Sequence, residues 1–311
     1  WNLQLAPDVI ARMQAGGKGT PVAGFGPLVE RIMLNNTNPD PALGPDERSV
    51  VRPHPFLGDP SVYKAMSMAI DRPLLVEIGY GQAGKVTCNW VPAPAAFNSD
   101  TFDCSTQDIA GANAMLDAAG YMDTNGDGVR ETPDGVKMSI LYQTSTNAVR
   151  QDFQALIKQW WSEIGIETEL RNLDASVFFG GDAGSPDTFQ KFYADVEMYA
   201  NTFSGTDPQV YLGNGLCGKE PSPASQWQGE NISRFCMEEY DAMHAELRNT
   251  ADLDERARLG RALNDMMVEN GGMIPLVHRG RLSAHANSLG GVKLNVWDSE
   301  LWNVSDWYRI D

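Results

Sequence analysis

The segment that begins at Asp123 has the residue types and spacing of a calcium-binding loop. In a twelve-residue loop of this kind, oxygen ligands come from alternating positions and a glycine makes the turn at the sixth. Here the ligand positions carry Asp123, Asn125, Asp127, Val129 through its backbone carbonyl, Glu131 and Asp134, and Gly128 is the sixth residue. Aspartate is shorter than the glutamate usual at the last position, and a strand rather than a helix is predicted to follow. A structural calcium site and an acidic turn closed by its own hydrogen bonds are both open interpretations.

The histidines and nucleophilic residues do not form a recognisable catalytic or metal-binding motif. His54, His244, His278 and His285 are too widely separated for the metal-ligand spacings of known motifs. The sequence contains no G-x-S-x-G, H-E-x-x-H or glycine-rich phosphate-binding motif. We therefore predict that the protein is not an enzyme and has no cofactor besides the possible structural calcium ion.

Four cysteines fall into two local pairs, Cys88 with Cys104 and Cys217 with Cys236. Neither pair has the C-x-x-C spacing of zinc or redox sites. The residues between the partners are rich in Pro, Ser, Asn and Gly, so each bond would close a loop and stabilise the fold by about 3 kcal/mol. Two disulfides would indicate an oxidising compartment, whereas four buried free thiols would suit the cytosol. We predict the two disulfides.

The bulk composition describes an acidic globular protein. The chain has 311 residues, a hydrophobic fraction of 42% and a formal net charge of −17. Strong acidity disfavours nucleic acid and anionic membrane surfaces as partners. The length allows a large core and two domain-sized units.

The hydrophobic pattern predicts alternating helices and strands that could position these residues. Helices are predicted at 6–15, 59–70, 108–119, 147–164, 238–248 and 252–268, and a short one begins at Pro73. Strands are predicted at 136–142, 166–170, 192–199 and 273–277, after an extended segment at 20–36. The order strand, helix, strand between 136 and 170 indicates an α/β unit. Beyond His278 the chain is predicted to be irregular.

The chain opens at Trp1 with an ordered pattern instead of a methionine or a signal peptide. A short strand-like run leads directly into the first predicted helix. We interpret the chain as a fragment whose signal peptide is absent.

Several motifs, in order, resemble the extracytoplasmic solute-binding proteins of family 5, the peptide- and nickel-binding receptors of ABC importers. The run Phe56–Arg72, FLGDPSVYKAMSMAIDR, resembles the family signature at the start of its helical segment. The similarity continues through the acidic turn at 123–135, the helix and strand at 148–169, the segment 231–241 with Cys236 at the family cysteine position, and the run IPLV at 274–277.

The resemblance implies an α/β fold that forms the C-terminal lobe of a bilobal periplasmic binding protein. Residues 35–273 would form this lobe. Residues 1–34 would be a remnant of the first lobe with the entering hinge strand, and residues 274–311 the return hinge and the last segment of the first lobe. The ligand would lie between the two lobes.

The resemblance also implies a function and a location. The protein would be a monomeric, periplasmic receptor that captures a peptide or another small polar solute and delivers it to ABC permease subunits in the membrane. The runner-up hypotheses are a secreted hydrolase or a non-transport receptor on the same scaffold.

The resemblance places a set of polar and aromatic residues at the ligand cleft. They are Gln143, Thr144, Asn147, Tyr199, Asn201, Ser204 and Trp227. Trp227 lies in the loop between Cys217 and Cys236, where a ligand wall and core packing are equally open. Peptide-binding members use an aspartate and an arginine to hold the ends of the ligand, but the corresponding stretches here carry neutral residues around Ser204 and Thr144. The class of solute therefore stays open.

Overall fold

The computed structural model describes residues 2–3 and 7–310. Trp1, on which the interpretation of a fragment rested, and residues 4–6 lie outside the described residues, together with Asp311. The strands are β1 (Asn2–Leu3), β2 (Gly19–Gly24), β3 (Val29–Leu34), β4 (Gly84–Val86), β5 (Ser139–Ser145), β6 (Glu167–Leu173), β7 (Val196–Asn201), β8 (Met273–Arg279), β9 (Arg281–Ala286), β10 (Leu289–Gly290) and β11 (Tyr308–Arg309). The α-helices are α1 (Pro7–Ala15), α2 (Pro60–Met68), α3 (Arg72–Gly79), α4 (Ile109–Ala118), α5 (Ala148–Glu163), α6 (Ala175–Phe178), α7 (Gln209–Leu212), α8 (Glu238–Asn249) and α9 (Leu253–Glu269).

A six-stranded mixed sheet forms the centre of the molecule, in the order β4-β8-β3-β7-β5-β6. Strand β5 runs parallel to β6 and β7, while β3 runs antiparallel to both of its neighbours. The parallel pair β5 and β6 is joined by helix α5, as the predicted strand, helix, strand order requires.

Each face of this sheet carries its own hydrophobic core. Alternate residues of β3 show the division, because Ile32 and Leu34 belong to one core and Met33 to the other. The first core is completed by α2 to α5, with Trp161 among its fully buried side chains. The second is completed by α7 to α9 and by the loops around the Cys217–Cys236 bond. A sheet covered on both faces is typical of an α/β protein.

Short polar side chains begin several of the predicted helices. Asp59, Asn147 and Asp252 each accept a hydrogen bond from a backbone N–H in the first turn of α2, α5 and α9, respectively. These contacts satisfy N–H groups that have no partner within the helix. The predicted starts of these helices are therefore confirmed.

A smaller antiparallel sheet, β1-β9-β2, lies beside the large one. The chain passes from β2 to β3 through residues 25–28 and returns from β8 to β9 at Gly280. The prediction of irregular structure beyond His278 is wrong, because Arg281–Ala286 forms β9 and pairs along the whole of β2. Its small and polar side chains give a weak alternation, and pairing with β2 rather than local pattern makes it a strand.

The strands at the two crossings belong to the large sheet. Both β3 and β8 lie in its interior, although our predicted boundaries place 29–34 with the first lobe and its entering hinge strand, and 274–279 with the return hinge. We call residues 29–279 the large unit and the described residues on either side of them, with the smaller sheet, the smaller unit. The sheet thus runs from Val29 to Arg279, and the division of the chain into lobes stays a prediction.

Both predicted disulfides are present. Cys88 is bonded to Cys104 and Cys217 to Cys236, so all four cysteines of the chain are paired. Among the helices that the structure describes, none combines the length and the apolar character needed to span a bilayer.

Candidate functional site

Five strands of the large sheet reach the same end of it, where the chain crosses to the smaller sheet. Val29 at the start of β3 pairs with both Asn201 and His278, and Gly84 pairs with Arg279. Strand β5 runs parallel to β7 and ends beside it at Ser145. These strands end or begin at Val29, Gly84, Ser145, Asn201 and Arg279. We call this end of the large sheet the crossing end.

Backbone hydrogen bonds hold the two crossing segments side by side. Arg279 donates from its backbone N–H to the carbonyl of Leu28 over 2.9 Å, and Gly280 donates to Ala83 over 2.7 Å. The Nε2 of His278 lies 2.6 Å from the carbonyl oxygen of Gly26. Burial lowers the pKa of His278, so the neutral ring, as a donor to that carbonyl, is the form favoured by folding.

A buried ion cluster joins both crossing strands to α3 and α5. The carboxylate of Glu30 accepts from Nε of Arg150 at 2.7 Å, from Nη1 of Arg279 at 3.0 Å and from the hydroxyl of Tyr80 at 2.9 Å. Burial alone would raise the pKa of Glu30, but the two guanidinium groups hold it below its ordinary value. Sequence reasoning missed this cluster, because a single glutamate in a strand gives no local sign of its partners.

Three of the predicted ligand contacts lie at or just beyond the crossing end and are accessible. Asn147 and Ser204 are exposed and Asn201 is half-buried. Asn147 caps α5, accepting from the backbone N–H of Arg150. Phe203, between Asn201 and Ser204, packs 6.4 Å from the ring of Trp297, which follows the smaller sheet. The crossing end therefore presents polar and aromatic groups beside the junction between the two sheets.

Three other predicted contacts are buried in the large unit, where their polar groups already have partners. Gln143 donates to Glu197 at 3.0 Å, and Thr144 donates to the carbonyl of Met198 at 2.6 Å. Tyr199 packs in the second hydrophobic core, with the guanidinium of Arg31 4.9 Å from its ring centre. The predicted strand began three residues before β5, which explains why the strand-end residues were assigned to a loop.

Trp227 lies away from the crossing end. Its ring centre is 4.7 Å from the guanidinium of Arg48 and 5.5 Å from the ammonium of Lys191. Arg48 bonds through its backbone to Asn38, beyond the opposite end of β3. Trp227 is half-buried on these two cations and belongs to neither hydrophobic core, and its place in a ligand wall stays a prediction.

The predicted calcium loop brings three of its carboxylates together. Ligand oxygens of Asp123, Asp127 and Glu131 lie within 4.8 Å of one another, while Asp134 is exposed and outside this group. Asp123 accepts from the backbone N–H groups of Gly126 and Gly128, at 2.7 and 2.9 Å.

The other two carboxylates of the group also have protein partners. Asp127 pairs with Lys137 at 3.3 Å, and Glu131 accepts from Thr124 and from the amide nitrogen of Asn125. An acidic turn closed by its own side chains accounts for these contacts, and calcium binding stays a prediction.

Comparison with known proteins identifies the same family that the sequence motifs resemble. A family model described as "Bacterial extracellular solute-binding proteins, family 5 Middle" matches residues 4–221. The glutathione-binding protein GsiB of Escherichia coli (strain K12) is 25% identical over 236 residues, which cover 75% of this chain and 42% of the relative. GsiB of Salmonella paratyphi A is 24% identical over 234 residues, with the same coverage.

Solved structures share the fold. NikZ from Campylobacter jejuni in complex with Ni(L-His) superimposes with a TM-score of 0.73 at 19% identity, covering 97% of this chain and 56% of NikZ. The oligopeptide-binding protein AppA from Bacillus subtilis, in complex with a nonapeptide, gives 0.72 at 20% identity, covering 98% and 58%. The chain thus spans about half the length of the relatives that it matches.

Proposed function

Because the chain belongs to the bacterial extracellular solute-binding proteins of family 5, we propose that it is part of an extracytoplasmic receptor for an ABC importer. The receptor captures a small polar solute, such as a peptide, between two lobes. It then presents the closed form to the permease in the membrane.

The arrangement of the crossing end is the observation that carries this proposal. Two sheets meet where β3 and β8 leave the large unit, and within the described residues the chain passes between them at two adjacent segments, 25–28 and Gly280. Two neighbouring segments of this kind allow one unit to rotate against the other as a rigid body. Asn147, Asn201 and Ser204 lie beside this junction, where closure would bring them against a bound solute.

The charge at the crossing end bears on the class of solute. Arg150 and Arg279 lie there, but both bond to Glu30 and are largely buried. Both arginines therefore stabilise the local structure and are not available to bind a ligand carboxylate. Recognition by Asn147, Asn201 and Ser204 would rest on neutral hydrogen bonds, which suit peptide groups and other uncharged polar parts of a solute.

The test is solute binding by the chain and by variants at the crossing end. Native mass spectrometry of protein purified from its host periplasm would identify a co-purified solute. Isothermal titration calorimetry would then use glutathione and a nonapeptide as probes, since relatives bind these compounds. We expect Asn201→Ala and Ser204→Ala to weaken binding by about thirtyfold together, because each hydrogen bond contributes about 1 kcal/mol.

An exposed asparagine at the end of α8 gives a matched control. Asn249→Ala should bind each probe as the wild type does, because Asn249 bonds only to its own helix among the described residues. Equal affinity of the Asn201 and Ser204 variants with the wild type would contradict the placement of the site. Conversion of a probe to product would favour a secreted hydrolase.

A further inference from the structure

A small polar cavity lies on the second face of the large sheet, beneath the loop closed by Cys217 and Cys236. Its volume is about 110 Å³, and its wall includes Arg31, Trp90, Tyr199, Asn201, Asn214 and Glu230. Arg31, Trp90 and Tyr199 are buried, whereas Asn201 and Asn214 are half-buried and Glu230 is exposed. The cavity therefore extends from the sheet toward the solvent at Glu230.

Arg31 projects from the middle of the sheet without a carboxylate partner. Its side chain is 3% exposed, donates from Nη1 to the hydroxyl of Tyr211 at 3.1 Å, and places Nε 3.1 Å from the sulfur of Met33. Within the described part of the chain it forms no ion pair. A guanidinium has five N–H donors, and a thioether is a weak acceptor, so its capacity for charged hydrogen bonds is largely unused.

The acidic residues nearest to Arg31 in β3 and β7, Glu30 and Glu197, form hydrogen bonds with other residues. Glu30 points to the opposite face, where Arg150 and Arg279 bind it. Glu197 shares the face of Arg31, accepts from Gln143 and is attracted to Arg234 and Arg31, but burial outweighs these contacts and raises its pKa well above the ordinary value, which favours the uncharged carboxyl. Burial by itself would lower the pKa of Arg31, but Tyr211, Tyr199 and Glu30 outweigh it and raise that pKa, so the guanidinium is charged inside the protein. Its hydrogen-bond partners on this face are hydroxyl groups and a thioether, so an incoming anionic group would gain charged hydrogen bonds from its remaining N–H donors.

Trp90, which also lines the cavity, carries a second buried donor. The indole nitrogen of Trp90 is enclosed and has no hydrogen-bond partner among the described residues, and the whole residue is 2% exposed. The side-chain amides of Asn201 and Asn214 add two more groups able to donate. Arg31, Trp90 and the two amides thus supply several N–H donors to the wall.

We propose that this cavity is a subsite for a carboxylate group of the solute, with Arg31 as the residue that recognises it. The inference rests on the proposed solute-binding function. The volume is sufficient for a carboxylate with a short aliphatic stem in place of a few water molecules. The solute would then be an acidic peptide or another small carboxylic acid.

Glu230 sets the charge at the mouth of the cavity. An anionic solute group entering past its carboxylate is repelled, while a positively charged part of the same solute is attracted. Glu230→Gln should therefore strengthen the binding of a simple anion, and this sign is a separate check on the location of the subsite.

The experiment measures thermal unfolding of the chain in sodium acetate against sodium chloride at equal ionic strength. Acetate should raise the melting temperature of the wild type in a saturable manner, and should have no such effect on Arg31→Met. Arg12→Met, which removes an exposed arginine, serves as the control and should respond as the wild type does. In case Arg31→Met does not fold, Asn214→Asp keeps Arg31 but places a carboxylate in the cavity wall, and should also remove the response to acetate.

Titration with the dipeptides Gly-Glu and Gly-Gln tests the carboxylate subsite and the proposed peptide binding separately. We expect Gly-Glu to bind about tenfold more tightly to the wild type, and the preference to vanish in Arg31→Met. If neither dipeptide binds but acetate stabilises the wild type selectively, the subsite stands and the peptide-binding proposal falls. If acetate acts equally on the wild type and the Arg31 and Asn214 variants, or on none of them, the subsite is overturned, whatever the dipeptides show.

Discussion

Single buried charges in this protein are arranged in two contrasting ways. Glu30 lies on one face of β3 with two guanidinium partners and a tyrosine hydroxyl, whereas Arg31, the next residue, lies on the other face with none of the described carboxylates as partner. Alternation along the strand separates the two side chains. The contacts of Glu30 hold β3, β8 and α5 together. The guanidinium of Arg31 keeps N–H donors that a ligand could use, as proposed above.

Neutralising Glu30 should destabilise the protein strongly. Glu30→Gln leaves Arg150 and Arg279 buried without their anion, and we expect a loss of about 3–5 kcal/mol in the free energy of unfolding. Urea unfolding followed by circular dichroism measures it. Glu255→Gln, in an exposed pair with Arg258, is the control and should show no measurable loss. A loss for Glu30→Gln no larger than that of the control would show that the cluster contributes little.

His278 should make stability depend on pH in the mildly acidic range. Burial lowers its pKa in the folded protein from the ordinary 6.5, so as the pH falls through this value the unfolded chain takes up the proton first. The free energy of unfolding should therefore decrease on acidification from neutral pH. His278→Gln keeps an N–H donor for Gly26 and should flatten the dependence. Melting curves across this range measure it, with His285→Gln as the control, and an unchanged slope in His278→Gln would contradict the assignment.

At the scale of elements, the sequence predicted the structures that depend on neighbouring residues, such as helix starts, and missed those that depend on distant pairing. Asp59, Asn147 and Asp252 marked helix starts because a cap acts within one turn. Strand β9 was missed because its pairing with β2, more than 250 residues earlier in the chain, makes it a strand. Arg31 was missed because an isolated cation in a strand reads as exposed, and only the packing of Tyr199 and Tyr211 against it encloses it.

The site could be predicted only in part, for a related reason. Of the predicted contacts, Asn147, Asn201 and Ser204 are accessible at the crossing end, whereas Gln143, Thr144 and Tyr199 are buried, and contact with a ligand stays a prediction for all of them. The face on which a strand residue lies depends on where pairing begins, and a shift of register moves every side chain. Sequence pattern locates strand ends only within a few residues, so it cannot make this distinction.

The bond between Cys217 and Cys236 should stabilise both the fold and the cavity. It closes a segment with a sequence separation of 19 that includes Glu230 at the cavity mouth. The double variant Cys217→Ser with Cys236→Ser should lose about 3 kcal/mol in the free energy of unfolding.

The same variant should respond less to acetate than the wild type, because the mouth of the cavity is no longer held. The double variant Cys88→Ser with Cys104→Ser gives the comparison, since that bond lies outside the cavity wall. It should lose a similar stability but keep the acetate response. Equal responses in the two double variants would contradict the structural link between the loop and the cavity.

The acidic turn at 123–131 should not need calcium for its stability. Asp123, Asp127 and Glu131 already accept hydrogen bonds from the protein, and Lys137 balances part of their charge. We expect the same melting temperature in excess calcium chloride and in EDTA. A higher melting temperature in calcium that is lost in Asp123→Asn would instead support the calcium loop.

At the scale of the whole molecule, close packing at the crossing keeps the two sheets together. A side chain added at Gly24 would place its Cβ 2.6 Å from Cγ1 of Val296 and 2.9 Å from Cδ2 of Leu294, in the segment that follows the smaller sheet. Trp297, next in that segment, lies against Phe203 of the large unit. Glycine at this position thus lets the segment lie against β2, beside the contact between Trp297 and Phe203.

Gly24→Val should loosen this contact. Overpacking of this kind costs about 1–3 kcal/mol, and the displaced segment should change the fluorescence of Trp297. Gly58→Ala is the control, because a Cβ there would meet no atom within 4 Å. Unchanged emission in Gly24→Val, with Trp297→Phe used to assign the signal, would show that the segment adapts without moving the tryptophan.

The pairing of Val29 with His278 means that the large unit begins and ends at the same place. In the order of the chain, the unit is an insertion between two strands, β2 and β9, that pair along their full length without it. Inserted units with neighbouring ends tolerate transfer between hosts and rearrangement of their termini. Evolution could therefore exchange this unit while keeping the host sheet. A circular permutant that joins residues 29 and 279 through a short linker and opens at an exposed loop should keep the six-stranded sheet.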